Sequence, residues 1–117
     1  MLIKIDPILG PDVLHTLRAM GHGDKLILCD SNFPAYSMNS QVHRLDGVDA
    51  ARAAQAILSI FPLDSFVEFP ILRMQIDNKP DELNDVHREI MEVTKSVAGE
   101  NWKIGSIERF KFYEEAK

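Results

Sequence analysis

Apolar positions along this chain alternate between helical and extended spacing. After Gly10-Pro11, a break that suits a first helical turn, Val13, Leu14, Leu17 and Met20 recur at helical intervals and mark a buried face. Gly21 and Gly23 predict the end of that helix, because glycine accepts the left-handed backbone of a C-terminal cap. The run Lys25-Leu26-Ile27-Leu28-Cys29-Asp30 reads as a short, buried strand. A turn-rich loop through Asn32-Phe33-Pro34 continues to about Gln41, and Val42-His43-Arg44-Leu45 is a candidate second strand closed by Asp46-Gly47.

From Asp49 a further helix is expected, with Ala50, Ala53, Ala54, Ile57, Leu58 and Phe61 along one side and Pro62 as its stop. Residues 66–69 and 71–76 are extended candidates on either side of Pro70, the second the stronger. Leu83, Val86, Ile90, Val93 and Val97 predict a third amphipathic helix after Pro80. A strand at about residues 104–108 and a helix from about Phe110 complete the order. Strands alternating with helices predict an α/β fold: a single domain over residues 1–117 with a central β-sheet covered by helices on both faces, a three-layer α/β/α arrangement.

Composition narrows the function classes. The 117 residues are 45% apolar and 26% charged, as in ordinary soluble domains. Net charge is −5, from 18 acidic and 13 basic residues without a Lys/Arg block, so no electrostatic footprint for nucleic acid or an anionic membrane is present. Apolar runs fall far short of the ~20 residues a bilayer span requires, and Met1-Leu2-Ile3-Lys4-Ile5-Asp6 lacks the pattern of a signal peptide. Cys29 is the single cysteine, which rules out an internal disulfide and a cysteine-based zinc site. These features together fit a cytoplasmic protein.

The segment from Met20 to Ser37 carries the most chemistry. Glycines flank His22 and remove steric bulk around the imidazole, Asp24 lies close enough to orient the ring, and Asp30 ends the expected strand. In α/β sheets, sites gather at strand ends and adjoining loops. An imidazole exchanges protons near neutral pH, and a carboxylate can hold hydroxyl groups or act as a base. The alternative for His22 is a loop histidine bonded to backbone, and for Asp30 a turn-former at a strand end. His22, Asp24 and Asp30 match no recognised metal-ligand spacing. His15, His43 and His87 read as structural or surface residues, with His87 on the polar side of its helix, and Cys29 as a buried inert thiol. No nucleophile elbow, phosphate loop or dinucleotide fingerprint occurs. Arg109, before Phe110-Lys111-Phe112-Tyr113, is either a surface ion-pair partner or a guanidinium offering several donors to sugar oxygens.

Met20-Gly21-His22-Gly23-Asp24 followed by Asp30-Ser31-Asn32-Phe33-Pro34-Ala35 resembles the D-ribose pyranase/L-fucose mutarotase family. Arg44-Leu45-Asp46-Gly47, Pro62-Leu63-Asp64-Ser65 and Glu108-Arg109-Phe110-Lys111-Phe112-Tyr113-Glu114 agree, and the resemblance runs collinearly from about Leu2 to Lys117. Gly23, Asn32-Phe33-Pro34 and the Arg-Phe-x-Phe-Tyr-Glu segment look like the fucose branch, whereas Tyr36 stands where many of its bacterial members have histidine.

The resemblance implies an isomerase that interconverts the anomers of a free monosaccharide, with L-fucose the leading candidate and no cofactor. By position, His22 would be the proton donor, and Asp30 and Arg109 would bind substrate; Asp24, from its spacing alone, would support the imidazole. D-ribose pyranase, another monosaccharide specificity, or a non-catalytic sugar-binding or regulatory protein are the alternatives. The family assembles as rings of ten subunits or as smaller oligomers, with sites near subunit boundaries, so a homo-oligomer is expected. The family also continues beyond the last helix into a strand bearing a Tyr-Gly-Asn segment. The expectation is therefore a mutarotase-like domain over residues 1–117 without that C-terminal strand.

Overall fold

The computed structural model describes residues 1–76, 79 and 81–117. Its elements are α1 (Pro11–Ala19), α2 (Ala35–Met38), α3 (Ala50–Leu58), β1 (Ile71–Met74), α4 (Asp85–Ala98), β2 (Ile104–Ile107) and α5 (Arg109–Glu115).

Local chemistry explains most boundaries. Pro11 opens α1, where its missing N–H costs nothing. Asp49 caps α3 by accepting the Arg52 N–H at 2.8 Å. Asn84 and His87 cap α4 reciprocally: Asn84 Oδ1 accepts the His87 N–H at 2.8 Å, and His87 Nδ1 accepts the Asn84 N–H at 3.3 Å. Glu108 accepts the N–H groups of Phe110 and Lys111 at 3.0 and 3.2 Å, so it starts α5 rather than extending β2.

The core gathers around α3. Leu9, Val13, Ala56 and Ile57 are buried together, with Leu14, Leu17, Leu26, Leu45 and Phe61 packed against them. Ala53 and Ala54 are also buried, and α3 packs against α4. A bidentate pair ties the N-terminal segment to α3, with Arg52 Nη1 and Nη2 donating to Asp6 Oδ2 and Oδ1 at 2.5 and 2.9 Å. The hydrogen bonds from Arg52 hold the Asp6 carboxyl below the usual carboxylate range, aided by the Ile8 N–H.

β1, α4 and β2 form a parallel β-α-β unit, with Ile71 opposite Ile104, Leu72 opposite Gly105, Arg73 opposite Ser106 and Met74 opposite Ile107. Gly105 is required by its neighbours. A Cβ there would lie 2.8 Å from both Leu72 Cδ2 and Phe69 Cγ.

The α/β class and the helices centred on α1, α3, α4 and α5 match expectation, but several details differ. Among the described residues, the sheet has two strands. Residues 25–30 and 42–45 form no strand ladder. Their apolar side chains are used nonetheless, since Leu26 and Leu45 pack on the α1–α3 core. Spacing reports side-chain burial, whereas a strand also needs a neighbour for its backbone. Residues 66–69 are not extended, because Asp64 Oδ1 accepts the Phe66 N–H at 2.9 Å and closes a turn. The loop after Asp30 contains α2. Cys29 is exposed rather than buried; its partial desolvation, followed by the adjacent Asp30 charge, pushes the thiol pKa up. The inward face of α4 is rotated from the expected one. Val86 is exposed, while His87 is half-buried and Thr94 is fully buried, its hydroxyl donating to Ile90 O at 2.8 Å. Burial, then the nearby Arg73 charge, lowers the His87 pKa and favours the neutral ring that accepts in the cap. Residues 77, 78 and 80, which separate the β1 region from the start of the third expected helix, lie outside the described residues.

Two outcomes follow from this packing. Gly105→Ala forces Leu72 and Phe69 to move and costs about 1–3 kcal/mol of unfolding free energy by urea titration; an unchanged midpoint would show that the β1–β2 contact yields freely. A carboxylate with a depressed folded pKa stabilises the fold above its unfolded pKa and loses that contribution as pH falls through the folded value. The parent is therefore more stable than Asp6→Asn at neutral pH, and the gap closes as pH falls below about 4. Unfolding titrations of both proteins from neutral to acid pH check this, and a gap independent of pH contradicts it.

Candidate functional site

His22 sits at the tip of a turn closed from both sides. The Asp24 N–H donates to Gly21 O at 3.1 Å, and the Gly21 N–H donates to Asp24 Oδ2 at 2.9 Å. His22 and Gly23 are the two central residues, and Gly23 takes φ of +89°, a position in such a turn that favours glycine. The turn follows α1 directly, where the Met20 N–H still bonds to Thr16 O. The helix thus ends in a tight hairpin of backbone that holds an imidazole outward. The His22 side chain is 77% exposed, open to a solute.

The structure places a different carboxylate at the ring from the one expected. Asp24 bonds to the Gly21 N–H and shapes the turn. Asp64, only 25% exposed, brings Oδ2 to 3.5 Å from His22 Nδ1. Phe66 meets the imidazole edge-on, with centroids 5.2 Å apart and planes at 80°. Residue-by-residue reasoning did not single out Asp64, although Pro62-Leu63-Asp64-Ser65 was among the segments carrying the family resemblance.

Asp30 and Arg109 are linked through aromatic rings. Asp30 Oδ1 accepts the Asn32 N–H at 3.0 Å, and its carbonyl accepts the Phe33 N–H at 3.2 Å. That turn projects Phe33 onto α5, where it meets Phe112 and Tyr113 edge-on at 5.6 and 5.2 Å. The Arg109 guanidinium lies 5.8 Å from the ring centroids of both Tyr113 and Phe110, within the range of cation–π attraction. Arg109 opens α5 at the end of β2, so the β-α-β unit sets it beside Tyr113, the ring that Phe33 meets. Lys25 adds a second tie between this region and α5 through its ion pair with Glu115.

A cleft of about 440 Å³ runs between α1 and residues 25–29 and 42–45, with Asp24, Phe33 and His43 in its wall. His43 is held there by Thr16, Oγ1 to Nε2 2.7 Å, a structural role as expected. Among the described residues, no three His, Cys, Asp or Glu side chains gather as a metal site. Among the same residues, no helix is long and apolar enough to cross a membrane.

The family model described as "RbsD / FucU transport protein family" matches residues 3–117. The chain belongs to the RbsD/FucU family. The L-fucose mutarotase of Actinobacillus pleuropneumoniae serotype 5b is 40% identical over all of this chain and 81% of its own length. That of Haemophilus influenzae (strain 86-028NP) is 37% identical, again over all of this chain and 81% of the relative. Among solved structures, the fucose mutarotase of Streptococcus pneumoniae in complex with L-fucose superposes with a TM-score of 0.87 at 31% identity. That match covers 98% of this chain and 81% of the other.

The turn generates its own prediction. A Cβ at Gly23 meets no atom within 4 Å, so Gly23→Ala carries only the backbone cost of positive φ, about 1–2 kcal/mol. Chemical unfolding measures that loss, and a variant as stable as the parent would show that the turn relaxes without penalty.

Proposed function

We propose that this chain is a cofactor-independent isomerase, a sugar mutarotase that interconverts the α and β anomers of a free monosaccharide, with L-fucose the leading substrate. The observation that carries the reading is an open His22 imidazole fixed on a glycine-flanked turn, in a chain whose full-length relatives are L-fucose mutarotases.

Ring opening needs a proton delivered to the ring oxygen while the anomeric hydroxyl loses one. The bond between the anomeric carbon and the ring oxygen breaks, and the electron pair goes to that oxygen. The open-chain aldehyde turns about its C1–C2 bond and closes on the other face, returning both protons. No redox equivalent is consumed. His22 is the proton donor in this scheme. Asp30 accepts hydrogen bonds from sugar hydroxyls, and Arg109 donates to sugar oxygens. Asp24 supports the catalyst by closing the turn beneath it.

The same reading extends to architecture and assembly. The fold in this reading is a single three-layer α/β/α domain. The protein works in the cytoplasm as a homo-oligomer, a decamer in its largest form, with sites near subunit interfaces and no nucleic-acid or membrane partner. The exposed Leu2, Ile3 and Phe66 side chains, the last beside His22, support such an interface.

NMR exchange spectroscopy of L-fucose and D-ribose anomers, with and without protein, tests the activity. Faster exchange is expected, greatest for L-fucose, and His22→Ala reduces it by roughly 10²- to 10⁴-fold with the fold intact by circular dichroism. Unaccelerated exchange of every sugar would leave a binding protein, and faster exchange of D-ribose alone would make it a pyranase.

A further inference from the structure

His22 is held by a single short stretch of chain from across the fold. The Asp64 carboxylate uses Oδ1 to accept the Phe66 N–H at 2.9 Å and directs Oδ2 at His22 Nδ1, 3.5 Å away. The turn closed by the first contact carries Phe66, whose ring meets the imidazole edge-on. One carboxylate therefore sets both of the groups that face the ring. Asp24, the carboxylate nearest in sequence, places Oδ2 on the Gly21 N–H.

A neutral imidazole carries one proton, and the partner of one nitrogen decides which nitrogen bears it. A carboxylate at Nδ1 accepts a hydrogen bond and so favours Nδ1–H. Nε2 is then a bare acceptor in the neutral ring and a donor in the imidazolium. Mutarotation asks for that behaviour, because the atom that gives a proton to the ring oxygen must take one back on closure. Rotation of the ring would turn Nδ1 or a carbon toward the substrate and would give up the T-shaped contact with Phe66. The 3.5 Å separation is an ion-pair distance, longer than the ~2.7–3.2 Å of a formed N–H···O hydrogen bond. Such contacts in ligand-free sites commonly tighten once substrate is bound.

We infer that Asp64 is the positioning residue for His22: it holds the proton on Nδ1 and thereby makes Nε2 the atom that exchanges protons with the sugar, with the Phe66 contact keeping the ring in place. The consequence for rate rests on the mutarotase reading. The consequence for the tautomer does not.

Asp64→Asn separates the two. The amide oxygen can still accept the Phe66 N–H, but the NH₂ group then faces Nδ1 as a donor and drives the neutral ring to the Nε2–H tautomer. Long-range ¹H–¹⁵N correlation spectra of the full chain, with the His22 signals assigned by their loss in His22→Ala, read the tautomer with and without L-fucose. The expected result is Nδ1–H in the parent and Nε2–H in Asp64→Asn. kcat for anomer exchange falls by roughly 10- to 100-fold, with KM changed less than about twofold, because a neutral ring already protonated at Nε2 cannot take a proton back from the sugar there, whereas sugar binding is kept. Asp64→Glu keeps a carboxylate at the ring and retains Nδ1–H, which guards against a folding defect in the asparagine variant. Identical His22 nitrogen shifts in the parent and Asp64→Asn would overturn the inference, as would an inverted tautomer with unchanged kcat. An inactive parent whose tautomer still inverts in Asp64→Asn would sink the mutarotase reading and leave Asp64 as the group that sets the imidazole.

Discussion

The small-residue face of α3 is the constraint on which the remaining structure rests. Ala53, Ala54 and Ala56 leave almost no side-chain thickness on that helix, so other segments can approach its backbone closely. Leu9 and Val13 of the N-terminal region pack there, and α4 packs against α3 as well. Everything that presents the site is then hung from this arrangement. α1 is fixed by Val13 and ends at the His22 turn, Leu26 secures the segment that leads to Asp30, and α4 connects the strand pair that leads to Arg109. A larger residue at Ala56, which is wholly buried, would push the α1 side away and move His22 with it.

The site itself is assembled from short, stiff turns instead of a deep pocket. Three carboxylates close such turns by accepting backbone N–H groups: Asp24 from Gly21, Asp30 from Asn32 and Asp64 from Phe66. Each costs little conformational freedom beyond the loop it closes, and each leaves oxygen lone pairs for another partner. Asp64 uses its second oxygen on His22. Asp30, exposed to solvent, has room for a ligand. Aromatic contacts do the longer-range work, with Phe33 carrying the Asp30 turn to α5 and Arg109 beside the rings of Phe110 and Tyr113.

Legibility from sequence followed the range of the interaction. Local signals were readable: Pro11 and Asp49 mark helix starts, and the alanine-rich face of α3 and the strands at Ile71 and Ile104 were visible in the spacing. The run from Lys25 to Cys29 misled because apolar content encodes coverage by neighbours, whereas a ladder depends on a partner backbone that spacing cannot specify. His87 turned inward because its ring caps the first turn of α4, a use of histidine that a hydrophobic pattern does not register. Asp64 was invisible as a site residue for the same reason: it stands far from His22 in the chain, and only folding brings the two together. Asp24 was credited with orienting the ring because it is near in sequence, yet the backbone of the turn claims it first.

An open, turn-built site is adequate for the chemistry proposed. Free sugars change anomer in water unaided, so a catalyst need supply only a poised acid, a base and a held substrate. One positioned acid–base group contributes roughly 10²- to 10⁴-fold, and orientation of the sugar adds to that. Neither effect demands the dry cavity that stabilising a strongly charged intermediate would require. What it does demand is that the proton be on the correct nitrogen of a ring that otherwise turns freely in solvent. For an imidazole as exposed as His22, the turn at Gly23 fixes where the ring is, and Asp64 with Phe66 fixes which atom it offers. The difficult part of building this site is therefore orientational, which is why its parts come from segments far apart in the chain.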